Sequence, residues 1–171
     1  DMVTQYLKAQ IAAGAEAVQL FDSWVGSLAP KDFERFVLPT VRRIFAELSD
    51  ESVPKIYFPG VASGELLPSL KDLQADVIGL DWRVSIDEAR RRLSPRFAVQ
   101  GNLDPMVLTA PMPVIEQYAK EIIDQGIKQP GYIFNLGHGL FPEASMEKIK
   151  GLTQFVQEYS REALSQAKQH G

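Results

Sequence analysis

Tyr132-Ile133-Phe134-Asn135-Leu136-Gly137-His138-Gly139-Leu140 (YIFNLGHGL) reads as a short apolar strand over residues 132–134 that runs straight into polar and glycine residues. In parallel α/β proteins the loops that follow the strands gather on one face, and the working side chains stand there. His138 occupies such a position. It is one of 2 histidines; the other, His170, adjoins the C-terminus, where disorder is the expectation. A catalytic or ligand-holding imidazole in this chain is His138.

The same pattern recurs upstream. Apolar and β-branched runs at residues 17–21, 56–58, 77–80 and 97–99 each lead into polar or glycine residues and then into a helix-period stretch, which predicts five βα units. The runs lack clean polar alternation, as strands do when helices cover a parallel sheet. The helices carry their own punctuation. Ser85 with Glu88 three residues on predicts a capping box opening a helix to about Leu93, and Pro113 predicts the start of a helix over residues 114–124 that Gly126 ends in a left-handed turn. Pro30 opens another, in which Pro39 is expected to cause a break or kink near Leu38. A long last helix spans residues 146–168.

Two architectures use repeated βα units: the open doubly wound sheet and the eight-stranded barrel. Five strands complete a small doubly wound sheet, but they leave a barrel short of staves, with two raw edges. No linker or shift of composition divides residues 1–171, so they form one structural unit. The opening, Asp1-Met2 followed by helix-period residues up to Gly14, has the look of a chain cut inside a helix.

The composition bounds the function. With 171 residues, 45% hydrophobic and 23% charged, the chain can bury a core. No run reaches the roughly 18 apolar residues of a membrane helix and no secretion signal opens the chain, so a cytoplasmic location is expected. The absence of cysteine removes disulfides, thiolate-bound zinc and a cysteine nucleophile. A net charge of -4 argues against sequence-independent nucleic-acid binding. The cluster Arg90-Arg91-Arg92, without interleaved aromatics, reads as the solvated face of a short helix.

The residues after each run are Asp22-Ser23, Pro59-Gly60, Asp81-Trp82, Gln100-Gly101-Asn102-Leu103-Asp104 and Asn135 to His138. Structural duties come first for most of them. Asp22 and Asp81 suit acceptance of loop amides or helix capping, Asn102 and Asp104 before Pro105 suit a turn and helix start, and Trp82 suits packing. Gly137 and Gly139 suit a tight loop or a close backbone approach that holds His138 in place. There is no phosphate loop, Gly-x-Gly-x-x-Gly, Gly-x-Ser-x-Gly elbow or histidine pair at metal-ligand spacing. Ser23 and His138, with Asp22 or Asp81, supply the residue types of a nucleophile triad but no sequence signature of one.

FDSWVGSL (residues 21–28), VIGLDWR (77–83), VQGNLDP (99–105) and NLGHGLFPE (135–143) together resemble the successive signatures of the uroporphyrinogen decarboxylase family, in its order and at about its spacing. The resemblance implies an α/β fold, a single (β/α)8 barrel, of which this chain supplies about five C-terminal βα units, strands four to eight, with the N-terminal strands absent. It implies a carboxy-lyase working without metal or organic cofactor, which removes carboxylate from the four acetate side chains of uroporphyrinogen III to give coproporphyrinogen III in haem biosynthesis. Loss of carbon dioxide needs a place for the electron pair. A protonated pyrrole is that sink, so the protein supplies a proton, stabilises a ring cation and holds a substrate with eight carboxylates.

On the same ground Ser23 and His138 are expected to bind substrate carboxylates, more strongly with a protonated imidazole, and Phe21 to line the cleft. The family's arginines, its aspartate facing the pyrrole nitrogens and its tyrosine are expected upstream of residue 1, so this chain alone is expected to be inactive. The family also implies a homodimer. The loop over residues 58–64 and the missing proline before Glu147 depart from the family pattern. Two rivals remain. Cobalamin-linked methyltransferases share the superfamily but hold zinc through cysteine, which this chain lacks; a non-catalytic, self-associating half-barrel needs no active site at all.

Overall fold

The five apolar runs form one parallel sheet whose strands lie side by side in chain order: β1 (Val18–Phe21), β2 (Lys55–Phe58), β3 (Val77–Gly79), β4 (Ala98–Leu103) and β5 (Tyr132–Leu136). The structure is a computed structural model that describes residues 2–169; His170 lies outside the described residues. A doubly wound sheet reverses its strand order at a switch point. The described strands show no reversal and every pair is parallel. Because parallel crossovers are right-handed, a sheet that always steps the same way places its connecting helices on one face. The sheet is thus singly wound and parallel.

The helices are α1 (Met2–Ala12), α2 (Pro30–Asp32), α3 (Leu38–Glu47), α4 (Ile86–Arg92), α5 (Met112–Gly126) and α6 (Met146–Gln169). Alternate strand residues Leu20, Tyr57, Ile78, Val99 and Tyr132 face them and join Phe45, Leu67 and Ile86 in the main core. Burying each such side chain contributes on the order of 1.5–3 kcal/mol. At the far side Leu103, Phe134 and Leu136 pack with Ile115, Leu152 and Val156 of α5 and α6. Among the described residues no helix is long and apolar enough to cross a membrane.

Several local expectations meet a different outcome. The chain does not break at Pro39. A π turn over Phe33–Val37, closed by Leu38 N–H donating to the Phe33 carbonyl, joins α2 to α3 and carries the backbone past the proline, which lies in the first turn of α3. Proline lacks an N–H and crowds the carbonyl four residues back, and the wider turn accommodates both. Only half of the capping box forms. Ser85 Oγ accepts from Glu88 N–H at 3.3 Å, while the Glu88 carboxylate turns to Arg91 and Arg92.

The arginine cluster is more than a solvated face. Arg92 also reaches the Gly64 carbonyl and Glu65, and Arg90 donates to the carbonyls of Gly126 and Gln129, stitching α4 to its neighbours. Gly126 stays inside α5. A Cβ there would stand 2.3 Å from the Tyr132 ring, so space for that ring, and not a left-handed turn, accounts for the glycine.

The opposite face of the sheet carries Gln19, Phe21, Phe58, Gly79, Gln100, Ile133 and Asn135. Pairing sets Phe21 beside Phe58 and Gly79 beside Gln100. The middle of this face is closed, with Phe58 and Gln100 each 7% exposed, whereas Phe21 on edge strand β1 is 66% and Ile133 on edge strand β5 is 43% exposed.

Candidate functional site

Three stretches converge at the C-terminal ends of the strands. The first begins at Asp22, whose N–H donates to the Phe58 carbonyl at 2.9 Å and so extends the β1–β2 ladder by one residue. The chain then turns through Ser23 into a short 3-10 turn, Val25–Ser27. This turn rests on Gly60. At φ +75° Gly60 holds a conformation that L side chains avoid, and a Cβ there would stand 2.6 Å from the carbonyl oxygens of Asp22 and Ser23. Glycine at 60 thus sets how deeply the Ser23 turn lies in the mouth.

The second stretch follows β5. Gly137 N–H donates to the Leu103 carbonyl at 2.8 Å, and a Cβ on Gly137 would stand 2.7 Å from the Trp82 nitrogen. Backbone meets backbone here, so the loop carrying His138 is seated directly on the loop after β3. Gly139 differs from the expectation for it. Nothing lies within 4 Å of where its Cβ would be, so no close approach explains that glycine.

The third stretch is the β3–α4 loop itself, and its polar residues build rather than act. Asp81 is fully buried and accepts from the N–H groups of Ser63 at 3.2 Å and Arg83 at 2.7 Å. Asn102 donates to the carbonyls of Asp81 and Val84. Asp104 caps the turn after β4 by accepting from Met106 N–H at 2.9 Å. Arg83 lies over the Trp82 ring, 4.2 Å from its centroid. The structural readings of Asp81, Trp82 and Asp104 hold, whereas Asn102 starts no turn: it braces the β3–α4 loop from within the strand Ala98–Leu103.

Phe21, Ser23 and His138 open into one cavity of about 480 Å³ whose lining also includes Phe58, Gln19 and Gln100. Phe58 is its centre. Its ring meets Phe21 edge-on at 6.1 Å and His138 at 6.4 Å between centroids, so an aromatic band crosses the mouth from β1 to the loop after β5. Ser23 is half-buried and His138 exposed. Among the described residues, the side chains lining the cavity include neither carboxylates nor lysine or arginine; the polar groups there are hydroxyl, amide and imidazole.

Asp22 stands just behind this surface. Partial burial raises its carboxyl above the ordinary aspartate range, and the hydrogen bond from Tyr57 Oη, 3.3 Å away, works against that rise. Burial, with the Asp22 charge beside it, pushes the Tyr57 hydroxyl far up, so it stays a neutral donor.

The sequence reading missed Phe58, Gln19 and Gln100. Gln19 and Phe21 are two residues apart in one strand and so share a face, a signal that was available. The sequence pattern places Gln100 and Asn102 in a loop. They are in fact in β4, which runs on to Leu103, because Gln100-Gly101-Asn102 pairs with Ile133-Phe134-Asn135.

Comparison with known proteins adds the lineage. The family model for uroporphyrinogen decarboxylase matches residues 1–159. The chain belongs to the uroporphyrinogen decarboxylase family. Uroporphyrinogen decarboxylase of Bacillus cytotoxicus is 55% identical over 165 residues, covering 96% of this chain and 47% of that protein. Its counterparts in Geobacillus and Bacillus subtilis are 56% and 55% identical, over 94% of this chain and 46% and 45% of theirs. The chain therefore spans about half the length of the curated relatives it matches. Among solved structures a methyltransferase from Methanosarcina mazei superposes with a TM-score of 0.79 at 19% identity, covering 91% of this chain and 46% of that one. At that identity the likeness is one of fold alone, and it agrees with the singly wound sheet.

Proposed function

We propose that residues 1–171 form strands four to eight of a (β/α)8 barrel that decarboxylates the four acetate side chains of uroporphyrinogen III to coproporphyrinogen III, with Ser23 and His138 as hydrogen-bonding groups for substrate carboxylates and Phe21 as a wall of the cleft. The observation that carries this reading is the shared cavity: residues separated by more than a hundred positions open into one mouth without a carboxylate in its lining. Such a surface offers N–H and O–H donors to an anion and no charge that repels it. The aromatic band of Phe21 and Phe58 supplies a flat apolar wall on which a tetrapyrrole ring packs.

The chemistry divides between substrate and protein. A protonated pyrrole accepts the electrons left by carbon dioxide, and the protein's share is to orient the acetate and shield the reacting ring. This chain's groups serve orientation; proton supply and stabilisation of the ring cation belong to the aspartate, tyrosine and arginines that the family resemblance assigns to the rest of the barrel. The exposed edges β1 and β5 are then the seams where the remaining strands pair. A homodimer in the cytoplasm is part of the same proposal, with exposed Trp24 and Phe36 available to a second copy. The fold likeness to a methyltransferase does not favour methyl transfer, because a chain with 0 cysteines brings no thiolate to a zinc site.

The test is turnover. The full-length protein should convert uroporphyrinogen III to coproporphyrinogen III, His138→Ala and Ser23→Ala should lower kcat/KM by about tenfold or more each, and the 171-residue chain alone should yield no product. Turnover by the chain alone near that of the full-length protein, or unchanged kinetics in both variants, overturns the proposal.

A further inference from the structure

Gln100 Nε2 donates to Gln19 Oε1 at 3.2 Å, although β1 and β4 are separated by two intervening strands. Neighbouring strands lie about 4.8 Å apart, so a flat sheet would hold these two about 14 Å apart. The long side chains meet across the sheet because the residue paired with Gln100 on β3 is Gly79, which projects no side chain between them. Both members of the pair line the cavity that Ser23 and His138 also line.

We propose that the Gln19–Gln100 amide pair is a further carboxylate-binding element of this mouth. This rests on the reading of the mouth as a site for a polycarboxylate tetrapyrrole. Each primary amide carries two N–H donors and one carbonyl. One mutual hydrogen bond leaves three of the pair's four N–H donors free for a ligand, whichever way either amide is turned. Among the described residues no other side chain or backbone group is hydrogen-bonded to either amide. Gln100, on the central part of the sheet, is 7% exposed, so its remaining polar atoms face the cavity or nothing. A ligand carboxylate in the cavity can accept from the N–H groups that the mutual bond leaves free. The neutral donors also suit this place in the lining: they bind an anion without adding a charge that would compete for it.

The experiment is equilibrium titration of the full-length protein with uroporphyrin, followed by fluorescence quenching, for wild type, Gln19→Glu, Gln100→Glu and Gln100→Met. Gln19 is half-exposed on an edge strand, so its replacement by the near-isosteric Glu leaves the fold in place and keeps the test informative if a Gln100 variant fails to fold. Each Gln→Glu change should weaken binding by about tenfold or more, through repulsion between the new carboxylate and the ligand's. That deficit should shrink as pH falls and the new carboxyl is protonated. Gln100→Met should weaken binding with no such pH dependence. Unchanged binding in both Glu variants, or a loss equal to that of Gln100→Met at every pH, overturns the proposal and reduces the pair to a brace between strands. Failure of the wild type itself to bind uroporphyrin overturns the reading of the mouth and this inference with it.

Discussion

The two glycines beside His138 make opposite predictions, and the difference is worked from a few interatomic distances. A methyl group on Gly137 would stand 2.7 Å from the Trp82 nitrogen and 3.1 Å from the Asp81 carbonyl carbon. Both are backbone atoms, which cannot rotate aside as a flexible side chain would. Relief requires the β5 loop to lift off the β3 loop, at an overpacking cost of about 1–3 kcal/mol, and lifting it also breaks the 2.8 Å bond from Gly137 N–H to the Leu103 carbonyl, a loss of about 1 kcal/mol. Gly137→Ala should therefore destabilise the protein by about 2–4 kcal/mol, a drop of about 1–2 M in the urea midpoint for a slope near 2 kcal/mol per molar. At Gly139 nothing lies within 4 Å, and Gly139→Ala should change stability by less than about 0.5 kcal/mol. Urea unfolding of both variants, followed by tryptophan fluorescence, reads the difference. A shift of less than about 0.5 kcal/mol for Gly137→Ala, or equal losses at the two positions, refutes the argument that the His138 loop is seated on the β3 loop.

Ser85→Ala should cost about 1 kcal/mol, measured by the same unfolding assay, because Ser85 Oγ is the acceptor for Glu88 N–H at the start of α4; no loss would mean the cap is idle. Asp22 titrates above its ordinary value of 3.8 because it is partly buried. Its contribution to stability is fully present below pH 3.8 and declines as pH rises through the higher folded-state value. Asp22→Asn should therefore gain stability relative to wild type as pH rises above 3.8, and a gap that stays constant with pH would contradict this. Tyr57→Phe removes the hydrogen bond that opposes the rise, so the Asp22 carboxyl should titrate higher still, which NMR titration of its side-chain carbon reads directly.

Strand positions were legible because five short apolar runs are each closed by polar or glycine residues and followed by a helix-period stretch. Whether the sheet is singly or doubly wound was not legible from those runs, since both architectures read alike in sequence; only the neighbour relations, β1 to β5 in order, separate them. The site divides in the same way. Ser23 and His138 stand in loops and announce themselves by residue type. Phe58, Gln19 and Gln100 are strand residues whose role depends on which face is covered and which strands are neighbours, and both are tertiary facts. Gly101 and the polar Asn102 disguised the continuation of β4, because an isolated glycine and asparagine usually mark a turn. Gly126 was misread for a related reason: the sequence near it does not show that the Tyr132 ring will lie against it.

The most direct measurement is the structure of the full-length protein with a bound uroporphyrin or coproporphyrinogen. The tetrapyrrole should lie across the Phe21–Phe58 wall, with carboxylates within hydrogen-bond distance of Ser23 Oγ and the His138 imidazole. A ligand bound at the other end of the strands, or in the mouth with neither residue in contact, would contradict the account.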